Sequence, residues 1–389
     1  MTYFCAGNFM RKIQMVDLGT QYLKIQDEVD AAMKEVILNS SFINGPAVKK
    51  FEQELAVYLD VPYVIGCANG TDALQVAMMA LDLPPGSEII TPSFSYAALA
   101  EMIHLLGHKP VYCEVDPATY LMDPATLSRL ITPATKVIAP VHLYGQCAPM
   151  AEILDIAQRH NLYVIEDTAQ AIGSRYTFPD GRMMRAGTMG HIGTTSFFPS
   201  KNLGCYGDGG AVFTRDAVLA EKLRMICNHG QKVKYTHDVV GLNSRLDSIQ
   251  AAVLSVKLKH LNTYEAARNE VADAYDKGLS GLPGVRIPSR VPNSTHVFHQ
   301  YTLALGTHAM REALKAHLEA AGIPSMIYYP TPLHRQRAYF DASVHMPRTE
   351  DLCMRVLSLP ISTEMDQEQI QYIVESIRAF SQNNQPEQA

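Results

Sequence analysis

Between residues 63 and 214, short apolar runs alternate with segments whose apolar positions recur at helical spacing. The runs at 63–66, 88–92, 110–115, 135–141 and 162–167, then 194–198 and 210–214, read as strands. Helical spacing falls between them, notably through Leu81, up to Leu106 and over 150–160. Apolar strands alternating with helices predict an α/β fold with a mostly parallel central sheet and helices on both faces. Upstream, residues 27–59 carry helical spacing broken at 39–46, where Pro46 suits the first turn of a second helix.

The alternation stops near residue 215. A helix is predicted over 216–228, then a polar stretch at 229–238, then a long helix from Ser248 past residue 268 toward 282. Three prolines and a glycine at 283–292 mark a turn-rich segment. Beyond it the pattern gives a strand at 298–305, a helix at 310–321 and a closing helix near 366–381, a smaller α+β unit. The organisation expected is an N-terminal extension at 1–12, a large domain at 13–261 and a small C-terminal domain at 262–389 with a frayed polar tail.

Composition narrows the class. The 389 residues are 47% apolar and 19% charged, enough for a large core plus a second domain. A net charge of −6 without a basic run argues against nucleic acid as a partner. No apolar run reaches the roughly 18 residues of a membrane span, and the N-terminus lacks the pattern of a secretory signal. Seven scattered cysteines without CxxC spacing suit reduced thiols and a cytoplasmic location. Fourteen histidines form no HExxH pair, so no metal is expected.

Two stretches carry candidate chemistry. In Ser196-Phe197-Phe198-Pro199-Ser200-Lys201-Asn202-Leu203-Gly204, a single lysine follows a largely apolar run, with glycines crowded behind it. Desolvation lowers a lysine's pKa, and a neutral amine attacks carbonyls, so Lys201 is the candidate Schiff-base lysine. In Leu162-Tyr163-Val164-Ile165-Glu166-Asp167, the carboxylate of Asp167 stands at a strand's carboxyl end, where α/β sheets gather ligands. A carboxylate there can hold the protonated ring nitrogen of pyridoxal 5'-phosphate. Gly70 and Thr71 open a helix whose N-terminus favours a phosphate or is simply capped.

With these motifs assembled, the chain resembles the DegT family of PLP-dependent sugar aminotransferases, of the aspartate-aminotransferase fold. The resemblance runs over about residues 13–377. It is carried by Asn69-Gly70-Thr71-Asp72-Ala73-Leu74, Thr91-Pro92-Ser93-Phe94-Ser95-Tyr96, Glu166-Asp167-Thr168-Ala169-Gln170, the Lys201 stretch, Gly207-Asp208-Gly209-Gly210 and Asn243-Ser244-Arg245-Leu246-Asp247. It implies that Lys201 bonds the cofactor and moves the proton, and that Asp167 holds the pyridine nitrogen. Gly70, Thr71 and Ser196 are implied as phosphate ligands, Tyr96 as the ring stacked on the cofactor, and Gln170 as a neighbour of its ring oxygen. Asn243 would reach the phosphate of the other subunit, giving a homodimer with a shared site.

Members aminating carbon 4 of the sugar usually have His where this chain has Gln170; members aminating carbon 3 often have Gln. The resemblance runs most to the branch acting on UDP-2-acetamido-2-deoxy-3-oxo-glucuronate, in surface polysaccharide and lipopolysaccharide biosynthesis. It implies glutamate as the amine donor and a nucleotide-linked keto sugar as the acceptor. Arg245 would then bind the sugar carboxylate or the diphosphate, or else form a structural ion pair. Tyr328 and Tyr329 stand where the family often has His-Tyr and would face the sugar. Amination at carbon 4, a dTDP-linked deoxysugar and a non-catalytic regulator on the same fold remain alternatives.

Overall fold

The structure, a computed structural model, describes residues 11–383. The expected extension at 1–12 therefore lies almost wholly outside the described residues, as does the end of the polar tail. Two helices, Leu18–Leu38 and Pro46–Leu59, precede the sheet. The first is capped by the Asp17 side chain, which accepts from the Thr20 N–H. Pro46 occupies the first turn of the second.

The central sheet has seven strands, numbered here in chain order: β1 Tyr63–Cys67, β2 Glu88–Pro92, β3 Lys109–Cys113, β4 Thr135–Ile138, β5 Tyr163–Asp167, β6 Ile192–Ser196 and β7 Gly210–Thr214. Their spatial order is β1-β7-β6-β5-β4-β2-β3. Only β7 runs against its neighbours, pairing antiparallel with both β1 and β6. The carboxyl ends of the other six strands share one edge, and β7 begins there. Ile65, Ile89, Val137, Ile165, Ile192 and Val212 face one apolar layer beneath the helix Gly70–Ala80. The opposite layer under β2, β4 and β5 contains Ile90, Ile138, Val164 and the helix Met150–His160. Burial on both faces explains why these strands read as continuous apolar runs.

The helix expected beyond Ser248 is one unbroken element, Ser248–Leu279. Its Leu254, Leu258 and Leu261 pack with Phe51, Phe197 and Leu246 of the large unit. Its Val271, Ala272, Tyr275 and Leu279 pack instead with Tyr301, Leu303, Leu357 and Ile373. We propose the domain division near 261/262, inside this helix, where its buried face changes core. The small unit holds a three-stranded antiparallel sheet of Val285–Arg286, Tyr301–Leu305 and Val356–Leu359.

Some elements depart from the expected pattern. The first helix begins at Leu18, because Gln21 and Ile25 continue its buried stripe upstream. Residues 298–300 are not strand, since Phe298 has φ +44. The polar stretch after 228 folds into a small hairpin, Gln231–Val233 with Thr236–His237. Another hairpin, Arg175–Thr177 with Met183–Arg185, and the helix Pro347–Arg355 give no clear apolar period in sequence.

Candidate active site

Because six strands end at one edge, the segments that follow β1, β2, β5 and β6 emerge side by side. The loop between β6 and β7 carries Lys201. Its N–H donates to Phe198 O at 2.8 Å, and the Cys205 N–H donates to Phe197 O at 2.8 Å. A Cβ on Gly204 would lie 2.3 Å from Pro199 O, so only glycine allows the loop to close. Buried Lys257 donates to the Gly204 carbonyl at 2.8 Å, and the amide of Asn202 donates to Val297 O at 2.8 Å. Lys201 itself is half-buried. Its dense surroundings push its amine down to about 8, with the nearby Asp167 carboxylate pulling the other way.

Asp167 ends β5, one residue beyond the fully buried Glu166. Burial raises its pKa; the Ala169 N–H, donating at 2.9 Å, and the charge of Lys201 act against that rise. Its carboxylate is thus poorly satisfied, short of one more positive partner. Gly70 and Thr71 open the helix Gly70–Ala80 behind the Asn69 cap, whose side chain accepts from Asp72 N–H at 2.8 Å. First-turn N–H groups have no partner within their helix. A Cβ on Gly70 would fall 2.5 Å from the Ser196 Cβ, so this helix end and the Ser196 hydroxyl form one cradle.

Gln170 is buried; its Oε1 accepts from the Tyr144 N–H at 2.8 Å, and its Nε2 donates to the Tyr329 hydroxyl at 3.0 Å. The Tyr144 hydroxyl donates to the Tyr328 carbonyl, and the Tyr328–Tyr329 peptide is cis. Tyr96 is 64% exposed, with its ring centroid 6.4 Å from that of Tyr329. Lys201, Asp167, Gln170, Tyr96, Tyr328 and Tyr329 therefore converge on the same edge as the Gly70–Ser196 cradle. Arg245 lies nearby, half-buried, with no side-chain partner among the described residues. Its neighbour Ser244 accepts from the Ala68 N–H at 3.2 Å, which ties this segment to the entry of the Gly70 helix. Asn243 departs from the group: it is exposed and pairs as a bridge with Asn228. An open groove of about 620 Å³ lined by Arg175, Glu265, Arg290 and His296 holds none of these residues.

Sequence reasoning missed Tyr144, which supports both Gln170 and Tyr328 from a buried position at φ +59. It also missed His142, whose Nε2 meets Glu166 at 2.8 Å while its Nδ1 accepts from the Ala148 N–H. Strand alternation offered one signal, because Glu166 and Asp167 must face opposite ways.

A desolvated lysine beside a sparsely bonded carboxylate, with a helix N-terminus and a hydroxyl closing on one cradle, is an arrangement that suits a pyridoxal-phosphate enzyme on a doubly covered α/β sheet. The residues fit that cofactor: an amine near neutrality, an acid receiving a single N–H, and first-turn N–H groups for a phosphate. Residues 23–378 match the DegT/DnrJ/EryC1/StrS aminotransferase family, and the chain belongs to it. It is a PLP-dependent sugar aminotransferase by family.

The chain is 44% identical over 361 residues to the UDP-2-acetamido-2-deoxy-3-oxo-D-glucuronate aminotransferase of Pseudomonas aeruginosa, covering 93% of this chain and 98% of that one. It is also 44% identical over 373 residues to a protein of Geobacillus stearothermophilus named pleiotropic regulatory protein, covering 95% and 98%. The crystal structure of DesV from S. venezuelae superposes with a TM-score of 0.91 at 38% identity, covering 96% of this chain and 99% of that one. No described helix is long and apolar enough to cross a membrane.

Proposed function

We propose that the chain transfers an amino group from glutamate to the 3-keto group of a UDP-linked sugar of the 2-acetamido-2-deoxy-3-oxo-glucuronate type. The pairing of a Lys201 amine pushed down to about 8 with the Asp167 carboxylate supports the chemistry, and the 44% identity to the Pseudomonas aeruginosa enzyme is the observation that carries the substrate. Bound there, pyridoxal phosphate supplies the carbonyl that carries the amino group and the ring that accepts the electron pair.

The chain's own residues do the rest. With its pKa near 8, about a tenth of the Lys201 amine is neutral at pH 7, so it can take a proton from the substrate carbon and return one. Asp167 keeps a proton on the ring nitrogen, as a buried carboxylate short of cations favours. Gly70, Thr71 and Ser196 bind the phosphate through N–H groups and a hydroxyl. Gln170, fixed by Tyr144 and Tyr329, orients the ring, and Tyr96 offers an exposed face for stacking. Unpaired Arg245 receives the sugar carboxylate or the diphosphate, whose geometry its planar fork matches. Tyr328 and Tyr329 form the sugar side.

The exposed side chain of Asn243 is free to serve the site of a second subunit, so the assembly we propose is a C₂ homodimer. Its six described cysteines are free and buried, in keeping with a reducing, cytoplasmic setting. The 44% likeness to a protein named as a regulator supports one rival, a binding protein without turnover. A single assay separates the readings. Glutamate should discharge the visible absorbance of the cofactor-loaded protein, and one of a panel of UDP- and dTDP-keto sugars should restore it. Product NMR then gives the aminated carbon. A spectrum indifferent to glutamate and to every sugar refutes the aminotransferase reading; restoration by a dTDP-deoxysugar alone refutes the substrate.

A further inference from the structure

Among the described residues, the Lys201 amine has no hydrogen-bond partner. A buried ring nitrogen also lacks one. His299 enters from the small unit and is 5% exposed, and its Nδ1 is enclosed without a partner among the described residues. One contact ties its segment to the lysine loop, and two more hold it against the chain at Gly145. The Asn202 amide, adjacent to Lys201, donates to Val297 O at 2.8 Å. The Val297 N–H donates to Gly145 O at 2.8 Å. The chain at Gly145 runs so close that a Cβ there would lie 2.8 Å from Phe298 N and 2.9 Å from His299 N. Buried Arg268 fixes the far side, donating to Phe298 O at 3.0 Å and Ile361 O at 3.1 Å.

The charged groups acting on His299 are Lys201 and Arg268, both cations. With burial, they push its imidazole well below the ordinary histidine range, so the ring is neutral. A neutral imidazole with an orphaned nitrogen is an acceptor awaiting a donor.

We infer that His299 is a positioning residue: when the Lys201 amine is not bonded to the cofactor, a rotation of its side chain from the position seen here brings it to His299 Nδ1, which accepts a hydrogen bond from it. The inference rests on the assignment of Lys201 above. Borohydride trapping of the cofactor, followed by peptide mapping, tests that assignment separately. The seat matters because an amine released from a bond gains rotamer freedom and loses its aim. A neutral acceptor also favours the ammonium over the amine, so its removal lowers the pH at which Lys201 becomes reactive.

The test uses the full chain freed of cofactor. Competitive acetylation across pH, read by mass spectrometry on the Lys201 peptide, gives the amine's titration. His299→Asn keeps an acceptor in the place of Nδ1; His299→Gln moves it to the place of Nε2. The Asn variant should follow the wild type, while the Gln variant should titrate about one pH unit lower, the scale of one hydrogen bond to a charged group. In the loaded enzyme the Gln variant should lose about tenfold in kcat with KM unchanged, and the Asn variant should recover it. Two variants that both superpose on the wild type, or both shift alike, overturn the inference. A further readout needs no variant: the ¹⁵N shift of His299 Nδ1 in the wild type must move as Lys201 titrates, and a flat response overturns the inference.

Discussion

Lysine 201 carries a folding cost that its chemistry explains. Its amine falls from the ordinary 10.5 to about 8 in the folded chain, chiefly through burial. That drop corresponds to about 3 kcal/mol of disfavoured charge, since each pH unit is worth about 1.4 kcal/mol. Replacing the lysine by methionine keeps the apolar stem and removes the charge. Part of the gain is lost, because Asp167 then loses the favourable charge of Lys201. We expect Lys201→Met to stabilise the cofactor-free protein by about 2 kcal/mol at pH 7 while abolishing turnover.

The sign fixes the pH dependence. Below pH 8 both the folded and unfolded chains hold the proton, and the wild type bears the full cost. Above pH 8 the folded chain releases it first, and by pH 10.5 the unfolded chain does too, so the advantage of the variant fades across that window. Urea midpoints of the two cofactor-free proteins at pH 7, 9 and about 10.5 measure it. A variant less stable than wild type at pH 7, or a difference that stays flat with pH, refutes the argument that burial depresses this amine.

Other outcomes follow from the same geometry. Asp167→Asn cannot hold a proton on the ring nitrogen; kcat should fall by 100-fold or more, about 3 kcal/mol in the barrier, while cofactor absorbance persists in steady-state assays. Gly70→Ala drives a methyl to 2.5 Å from the Ser196 Cβ, opening the phosphate cradle. Cofactor affinity measured by fluorescence titration should drop at least about tenfold. Glu166→Gln puts an amide NH₂ against N–H groups that now point at carboxylate oxygens; a loss of about 3 kcal/mol is expected in urea denaturation.

Much of the architecture was legible because its strands are buried on both faces. Val164, Ile165 and Val212 write their burial directly as apolar runs. The direction of β7 was not, since strand polarity depends on the return path of the lysine loop and not on composition. Helix Pro347–Arg355 was invisible because it buries only Thr349, Leu352 and Cys353, too few to set a period. At the site, Lys201 and Asp167 stood out in sequence as a pair, through the apolar run before one and the strand end under the other. Tyr144 and His299 did not, because each acquires its role from segments more than twenty residues away, through Gln170 and Asn202.

Glu166 and Asp167 are adjacent carboxylates on one strand, and the fold treats them oppositely. Glu166 points into the core and accepts four donors: His142 Nε2 at 2.8 Å, Gly187 N at 2.8 Å, Met189 N at 2.7 Å and Gly190 N at 2.5 Å. That saturates its oxygens and fixes the end of β5 against the turn at 187–190. Asp167, one residue on and facing the pocket, receives a single N–H, from Ala169. An acid so placed keeps binding capacity in reserve, while its saturated neighbour prevents the strand end from relaxing to satisfy it. The lysine loop repeats the scheme. Lys257 is spent on the Gly204 carbonyl and the face of Tyr206, with its nitrogen 4.7 Å from the ring centroid. Lys201 is left without a hydrogen-bond partner for its amine. In each pair the satisfied member builds the wall and the unsatisfied member faces the pocket. Reactivity at this edge therefore comes from where hydrogen bonds have been withheld, and saturating Asp167 with a new internal partner should stabilise the chain and silence it together.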